Sequence, residues 1–300
     1  MKNPLKHPFC KVREMCSPPL FQRGGWEGLK IKKMIGIFDS GLGGLTILKY
    51  ILKELPEYDY LYLGDTARTP YGGRSQEIIY QYTKEAVDFL FSQGADLIIV
   101  ACNTASSQAL RKIQQEYLPS KYPGKNVLGV IRPLAEAVIS QKNLKKIGVV
   151  GTKATINSNV YAMELSKLKN NLEVFQVSAP LLVPLIEEGW SKKKETKMIL
   201  KKYVRRLKEK KVDALILGCT HYPFLLKQFQ TVMPKKCFVP NPGVVVAQSL
   251  KNYLIKHPEY AASSGKSLRK YFTTDDVLMF KKLGEKFLGG DMGEVKKITL

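Results

Sequence analysis

Two cysteines stand at the ends of apolar stretches, and polar residues follow each of them. The stretch LILGCTHYP (215–223) stops being apolar at Gly218 and then presents Cys219, and the stretch LIIVACNTAS (97–106) presents Cys102 in the same way. A thiol near an imidazole or a helix N-terminus has a lowered pKa and can act as a base. Two such thiols facing one substrate carbon could take a proton from one side and return one to the other. That chemistry inverts a stereocentre and needs no metal or organic cofactor.

Hydrogen-bonding side chains follow both cysteines: Asn103, Thr104, Thr220 and His221. The imidazole two residues after Cys219 could tune that thiol, and Asp39 could do the same for Cys102 if it lies nearby. Glu187 and Glu188, in the segment PLIEEG, could orient the imidazole or contact a substrate ammonium group. Each residue also has a structural explanation, because a free cysteine is usually a small buried hydrophobe and a carboxylate usually faces solvent.

Two glycine-rich segments could complete a binding site. The segment FDSGLGGLT (38–46) places Asp39 and Ser40 at the end of an apolar stretch, with three glycines ahead of a predicted helix. Glycines let a backbone approach a ligand and a helix N-terminus favours an anion, so a carboxylate would suit this turn. As a nucleotide signal it is weak, because G-x-G-x-x-G is incomplete. The polar loop GDTARTPYGGRS (64–75) could also line a site. A tight turn explains the first segment as well as a site does, and an ordinary turn is the simpler explanation of the second.

Short apolar segments alternate with helical periods along most of the chain. The predicted strands are 34–38, 60–63, 96–101, 127–131, 146–150, 173–177, 213–218 and 236–239. The predicted helices are 44–54, 75–93, 105–116, 157–169, 192–210 and 243–255. This alternation predicts an α/β fold with mainly parallel sheets. Ligands of such sheets bind beyond the carboxyl ends of the strands, which is where both cysteines stand.

An internal repeat is visible in the strand sequences. IGIFDSG, from Ile35, parallels IGVVGTK, from Ile147, and DLIIVACNT parallels DALILGCTH. In the second pair an aspartate precedes the cysteine by six residues. The repeat predicts two similar α/β domains related by a pseudo-two-fold axis, with Cys102 and Cys219 meeting across the cleft between them. Repeats this short can also arise from the common pattern of α/β strands.

The composition suits a globular chain. The 300 residues are 44% apolar, enough for one large domain or two ordinary ones. No stretch approaches the ~20 apolar residues of a membrane span, and the N-terminus lacks the apolar region of a secretory signal, so a cytoplasmic protein is expected. The five cysteines are odd in number and form no C-x-x-C pair, which argues against a disulfide framework and against a metal site.

The net charge of +22 is high. Much of it lies in the segment 191–211, where apolar residues at helical spacing predict an amphipathic helix with a cationic outer face. Such a face could bind nucleic acid, but no nucleic-acid motif accompanies it and a solvated helix face is the favoured interpretation. Residues 1–33 are rich in Pro and Gly and lack a period. We expect a disordered or untranslated tail there, with Met34 as the plausible true start.

Five motifs in order, GIFDSGLGGLT, YLGDTARTPYG, ACNTAS, VPLIEEG and LGCTHYP, together resemble the aspartate/glutamate racemase superfamily, and its glutamate racemases most closely. The resemblance covers roughly residue 34 to the end. It implies a racemase that interconverts L- and D-glutamate without a cofactor and supplies D-glutamate for peptidoglycan. It also implies a first domain of 34–131 plus 241–300 and a second domain of 132–240, with the active site between them. A homodimer is expected.

The resemblance assigns roles to individual positions. Cys102 and Cys219 match the two proton-transfer cysteines, and Asp39, His221 and Glu187 match the residues that support them. The positions that match substrate-binding residues are Asp39, Ser40, Tyr71, Gly72, Asn103, Thr104, Thr220 and His221.

Three other functions stay open at this point. A sister racemase could act on aspartate or on a broad range of amino acids. A non-catalytic protein could bind a small anion or, through the cationic helix, nucleic acid. A thiol hydrolase could use Cys219 and His221 through a covalent adduct, and it would not need Cys102.

Overall fold

The computed structural model describes residues 33–262 and 267–300. Its strands within these ranges are β1 Met34–Asp39, β2 Asp59–Gly64, β3 Leu97–Val100, β4 Asn126–Gly129, β5 Lys146–Gly151, β6 Glu173–Ser178, β7 Ala214–Gly218, β8 Arg269–Thr273 and β9 Val295–Lys297. They form a six-stranded sheet in the order β4-β3-β1-β2-β8-β9 and a three-stranded sheet in the order β6-β5-β7. Every strand pair in the described part is parallel. The predicted α/β class with parallel sheets is confirmed.

Helices connect these strands. The α-helices are α1 Leu45–Glu54, α2 Gln76–Ser92, α3 Asn103–Gln108, α4 Leu110–Lys112, α5 Leu118–Lys121, α6 Ile131–Ile139, α7 Lys153–Asn157, α8 Val160–Leu168, α9 Leu182–Glu187, α10 Lys194–Glu209, α11 Leu226–Val232, α12 Pro242–Lys256 and α13 Val277–Leu288. Short 3-10 turns lie at Thr66–Arg68, Tyr71–Gly73, Trp190–Lys192, Tyr222–Leu225 and Pro258–Tyr260, and a π-helical turn lies at Ile113–Tyr117. Helix α10 buries Leu200, Val204 and Leu207, as its apolar spacing predicts, and directs its many basic residues outward.

The two sheets share a three-stranded unit. In the larger sheet β1 lies between β3 and β2, and in the smaller sheet β5 lies between β7 and β6. The repeated sequences therefore occupy equivalent strands: the paired segments that begin at Ile35 and Ile147 form the central strands, and the cysteine-bearing segments form β3 and β7. Cys102 and Cys219 consequently follow equivalent strands at the carboxyl edges of the two sheets.

The repeated aspartate has a structural cause. Asp213 Oδ2 accepts hydrogen bonds from the backbone N–H groups of Lys145 and Lys146, at 2.9 and 2.8 Å, where β5 begins. Asp96 Oδ2 accepts one from the N–H of Met34, at 3.1 Å, where β1 begins. Each carboxylate thus satisfies a backbone donor at the start of a central strand and fixes the adjoining cysteine strand against it.

Several elements differ from the sequence prediction. The predicted strand 236–239 forms only an isolated bridge between Phe238 and Ala214, because Pro240 has no N–H group with which to continue the pairing. The predicted helix 105–116 is divided among α3, α4 and the π turn. The sequence prediction missed strands β8 and β9 and helices α5, α6, α7, α9, α11 and α13. The first half of β8 is exposed, so its sequence lacks the run of apolar residues that marks a buried strand.

The boundaries of the proposed domains stay a prediction. The larger sheet draws strands from residues 34–129 and again from 269–297, while the smaller sheet uses residues 146–218. The tail predicted for 1–33 lies outside the described residues except for Lys33, whose Nζ is 3.2 Å from Asp96 Oδ1. None of the helices in the described ranges combines the length and the apolar character needed to cross a lipid bilayer.

Replacing either aspartate should destabilise the protein. For Asp96→Ala and for Asp213→Ala we expect the free energy of unfolding to fall by about 1 to 2 kcal/mol, because a strand N–H loses its partner. Urea denaturation followed by circular dichroism measures this change. Asp275→Ala is the matched control, since Asp275 is exposed and should change stability little. Equal stability of all three variants would contradict the anchoring role.

Candidate active site

The Cys102 thiol is buried where β3 meets α3. Its Sγ lies 3.3 Å from Ser40 Oγ and 3.5 Å from the backbone N–H of Ala105. Burial raises the pKa of Cys102 to about 12, and the nearby Asp39 carboxylate raises it as well. The hydrogen bonds from Ser40 and Ala105 oppose this rise. Cys102 is therefore a protonated thiol at neutral pH, with two donors positioned to receive a thiolate when one forms.

The Cys219 thiol is buried at the end of β7 and begins a chain of contacts through His221. Its Sγ lies 3.9 Å from Nδ1 of His221, and Nε2 of the same ring lies 2.9 Å from Oε1 of Glu187. Burial opposes a charge on the imidazole, but Cys219 and Glu187 outweigh it and raise the pKa of His221 to about 10. Glu187 comes from the end of α9, and Phe287 packs edge-on against the imidazole at 5.9 Å between ring centroids. A cationic imidazole beside a sulfur favours the thiolate.

Asp39 joins the two strand ends. One oxygen accepts a hydrogen bond from Thr220 Oγ1 at 3.1 Å, and the other accepts one from the N–H of Gly41 at 3.0 Å. The side chain is fully buried, and burial raises its pKa above the ordinary value, although the charge of His221 and its hydrogen bonds oppose the rise. Asp39 thus contacts the Cys219 segment by a hydrogen bond and affects Cys102 through its charge.

The glycine-rich turn of 38–46 packs directly on the Cys219 segment. A Cβ atom at Gly43 would collide with Thr220 Oγ1 and would lie 2.6 Å from His221 Nδ1. Thr46 Oγ1, one turn further, donates to the backbone carbonyl of Thr220 at 2.8 Å. The glycine is therefore required by close approach between two parts of the protein.

Asn103 and Thr104 contact the part of the chain that forms the smaller sheet. Thr104 Oγ1 lies 2.9 Å from Thr152 Oγ1 and 3.4 Å from Thr155 Oγ1. Asn103 Oδ1 accepts a hydrogen bond from the Tyr161 hydroxyl at 2.5 Å. Both predicted residues directly follow Cys102 in the chain. Each forms a hydrogen bond with a partner more than forty positions away in the sequence.

Tyr71 and Gly72 lie at the edge of this group. The Tyr71 ring is buried against Phe38, and its hydroxyl donates to Asp65. Gly72 packs against Thr152, where an added Cβ would lie 2.9 Å from the threonine Cβ. The structure therefore brings all the predicted site residues to the region between the two carboxyl edges, with the Tyr71 hydroxyl already engaged by Asp65.

Metal binding has no evident site in the structure. Within residues 33–262 and 267–300, no group of three or more His, Cys, Asp or Glu side chains is placed to hold a metal ion.

Comparison with known proteins identifies the family. Residues 46–247 match the model of the Asp/Glu/Hydantoin racemase family. The chain is 43% identical over 267 residues to the glutamate racemase of Sulfurihydrogenibium sp., covering 89% of this chain and 97% of that protein. It is 44% identical over 239 residues to the glutamate racemase of Aquifex aeolicus, covering 80% and 88%.

Solved structures of glutamate racemases are also similar to this chain. A crystal structure of glutamate racemase from Francisella tularensis in complex with D-glutamate matches with a TM-score of 0.81 at 34% identity, over 89% of this chain and 98% of that one. Glutamate racemase from Aquifex pyrophilus matches with a TM-score of 0.71 at 38% identity, over 87% and 98%.

The chain belongs to the Asp/Glu/Hydantoin racemase family. It is an isomerase of the amino-acid racemase type, and the resemblance seen in the five motifs is confirmed. The relatives that match over most of the chain are racemases, which argues against the non-catalytic and hydrolase interpretations.

Two polar residues of this racemase site were missed by sequence reasoning. Thr152 contacts Thr104 and Gly72, and Tyr161 contacts Asn103. The repeat carried a signal for Thr152, because aligning Ile35 with Ile147 places it opposite Ser40. Tyr161 had no such signal, since its position on α8 reads as an ordinary apolar core residue.

Gly43→Ala tests the close packing of the glycine-rich turn in the racemase. The new methyl group should displace Thr220 and His221, and a displacement of about 1 Å can lower catalytic efficiency about 100-fold. Racemase kinetics and a thermal melt measure the effect. Gly290→Ala is the control, because a Cβ at Gly290 meets nothing within 4 Å. Unchanged kinetics in a folded Gly43→Ala protein would contradict the packing argument.

The Glu187–His221 contact predicts a pH effect. Glu187→Gln should lower the pKa of His221 from about 10 by about one pH unit or more, because a neighbouring negative charge is lost. In the wild-type protein protonation of His221 stabilises the fold fully below pH 6.5, and that contribution is lost as pH rises through 10. In the variant this contribution should therefore be smaller, and its loss should be complete at a lower pH.

NMR titration of labelled histidine measures this pKa directly. Glu259→Gln is the matched control, because Glu259 pairs with the exposed His257 at the same 2.9 Å distance but lies on a different element. An unchanged titration of His221 in Glu187→Gln would show that the carboxylate does not control the imidazole.

Proposed function

We propose that this racemase interconverts L- and D-glutamate by two-base proton transfer between Cys102 and Cys219. The observation that carries the proposal is the placement of two buried thiols at equivalent strand ends of the two sheets. We infer the substrate from relatives that are named glutamate racemases. A similar glutamate racemase has been solved in complex with D-glutamate.

The surroundings of the two thiols differ before reaction. Cys102 has a pKa of about 12 and holds its proton, whereas Cys219 lies beside an imidazole whose pKa is about 10 and which is cationic at neutral pH. The Cys219 sulfur would take the α-proton, and Cys102 would deliver a proton to the opposite face. The resulting Cys102 thiolate would accept hydrogen bonds from Ser40 and Ala105. The reverse reaction would use the same groups in exchanged roles.

Removal of the α-proton requires stabilisation of negative charge on the substrate. The α-proton of an amino acid is far less acidic than a thiol of pKa ~8.5, so preorganised donors must stabilise the carbanion-like transition state. The proposed substrate-binding residues supply hydroxyl, amide and backbone N–H groups: Asp39, Ser40, Tyr71, Gly72, Asn103, Thr104, Thr220 and His221. Asp39, His221 and Glu187 are proposed to tune the thiols.

The wider biological role follows from the resemblance. We propose that the D-glutamate supports peptidoglycan synthesis and that no cofactor takes part. Cytoplasmic location, a homodimer and the division into 34–131 plus 241–300 and 132–240 stay predictions.

Incubation with L-glutamate in D2O tests the proposal. We expect optical rotation to decay to zero while deuterium enters the α position without added cofactor. Cys102→Ser and Cys219→Ser should each lower racemisation about 10²- to 10⁴-fold, the typical contribution of a positioned acid or base. Cys237→Ser is the matched control, because Cys237 is also buried but lies outside the site.

Other outcomes have defined meanings. Turnover of aspartate in place of glutamate would reassign the substrate within the same mechanism. Full racemisation by Cys102→Ser would exclude the two-thiol mechanism. Absence of exchange with both amino acids would reject the proposed activity.

A further inference from the structure

Tyr161 connects the two halves of the proposed site. It lies on α8 with no exposed surface, and its hydroxyl donates to Asn103 Oδ1 at 2.5 Å. Its ring contacts the cysteine strand of the smaller sheet, since a Cβ added at Gly218 would lie 3.1 Å from Tyr161 Cε2. Tyr161 thus touches the residue after Cys102 and the residue before Cys219.

The hydrogen bond determines which end of the Asn103 amide faces the site. An asparagine side chain has an acceptor at Oδ1 and two donors at Nδ2. If the amide rotated to present its oxygen to the site, Nδ2 would donate to the Tyr161 oxygen and the buried hydroxyl proton would lose its acceptor. Within the described residues Nδ2 of Asn103 makes no hydrogen bond and keeps some accessible surface, so it remains available to a ligand.

The tyrosine is suited to this role because it stays neutral. Burial and the nearby Cys219 raise the pKa of the Tyr161 hydroxyl above its ordinary value. The hydroxyl therefore keeps its proton throughout the working range and remains a donor.

We propose that Tyr161 is a positioning residue that holds Asn103 as a donor to a carboxylate of the substrate, and not as an acceptor from its ammonium group. This inference rests on the proposed function, because it requires glutamate to bind beside Cys102. It adds a residue to the site and assigns the polarity of one subsite.

Tyr161→Phe tests the inference by removing one oxygen atom. With the amide free to rotate, KM for both enantiomers should rise about tenfold, the loss of about 1.4 kcal/mol of binding, while kcat changes less than about threefold. Because the L/D equilibrium constant is one, kcat/KM must fall equally in the two directions, which checks the assay. Tyr60→Phe is the matched control, since Tyr60 is also buried and donates to a backbone carbonyl, that of Leu55, at 2.6 Å.

A double-mutant cycle separates this role from a merely structural one. If Tyr161 acts through Asn103, then Tyr161→Phe should cost little when added to Asn103→Ala, and the double variant should match Asn103→Ala within about twofold. A further tenfold loss in the double variant would overturn the inference, as would an unchanged KM in an active Tyr161→Phe enzyme.

Asn103→Asp gives an independent test that leaves Tyr161 intact. The aspartate keeps the Tyr161 hydrogen bond but presents a negative oxygen in place of the amide donor. It should bind glutamate more weakly than Asn103→Ala does, because two carboxylates would face each other. Tighter binding than in Asn103→Ala would mean that this subsite receives the ammonium group. Absence of glutamate turnover in the wild-type enzyme would reject the proposed function and the inference together, whereas an active enzyme insensitive to these changes rejects the inference alone.

Discussion

The buried hydrogen bond from Thr220 Oγ1 to Asp39 Oδ1, 3.1 Å long, is the constraint on which the site depends. It joins the end of the central strand of one sheet to the end of the cysteine strand of the other. A carboxylate loses its hydration when buried and must be compensated by hydrogen bonds. Asp39 obtains one from Gly41 in its own segment and one from Thr220, so separating the strand ends would remove the Thr220 partner of Oδ1. The glycine at position 43 allows the close approach that this bond requires.

Both thiols are buried, but their neighbours make them chemically different. Cys102 lies near the Asp39 carboxylate and keeps its proton, while Cys219 lies beside an imidazole that Glu187 helps to charge. Two residues of one type on equivalent strands therefore lie in different electrostatic surroundings. In the proposed mechanism this difference lets one thiol accept a proton while the other donates one, as inversion of a stereocentre requires.

Much of the fold could be predicted from the sequence, and the failures have physical causes. The buried parallel strands were found because both of their faces are apolar. Strands β8 and β9 were missed because both carry exposed residues. The segment 236–239 was overpredicted because prolines limit its pairing. The aspartate that precedes each cysteine by six residues was noticed as a pattern. Its role at the start of a central strand depends on a hydrogen bond to a distant segment, which local pattern does not show.

The sequence by itself determined the residue types of the site, their positions at strand ends and the family, because motifs of short range carry that information. Glu187 was among the candidates, but it could equally have faced solvent. Only the tertiary structure decided that it contacts His221, that Asp39 accepts a hydrogen bond from Thr220, and that the Tyr161 hydroxyl donates to Asn103. These contacts join residues 34, 181 and 58 positions apart. Their formation depends on how the two sheets pack, a property of the whole chain that no single motif encodes.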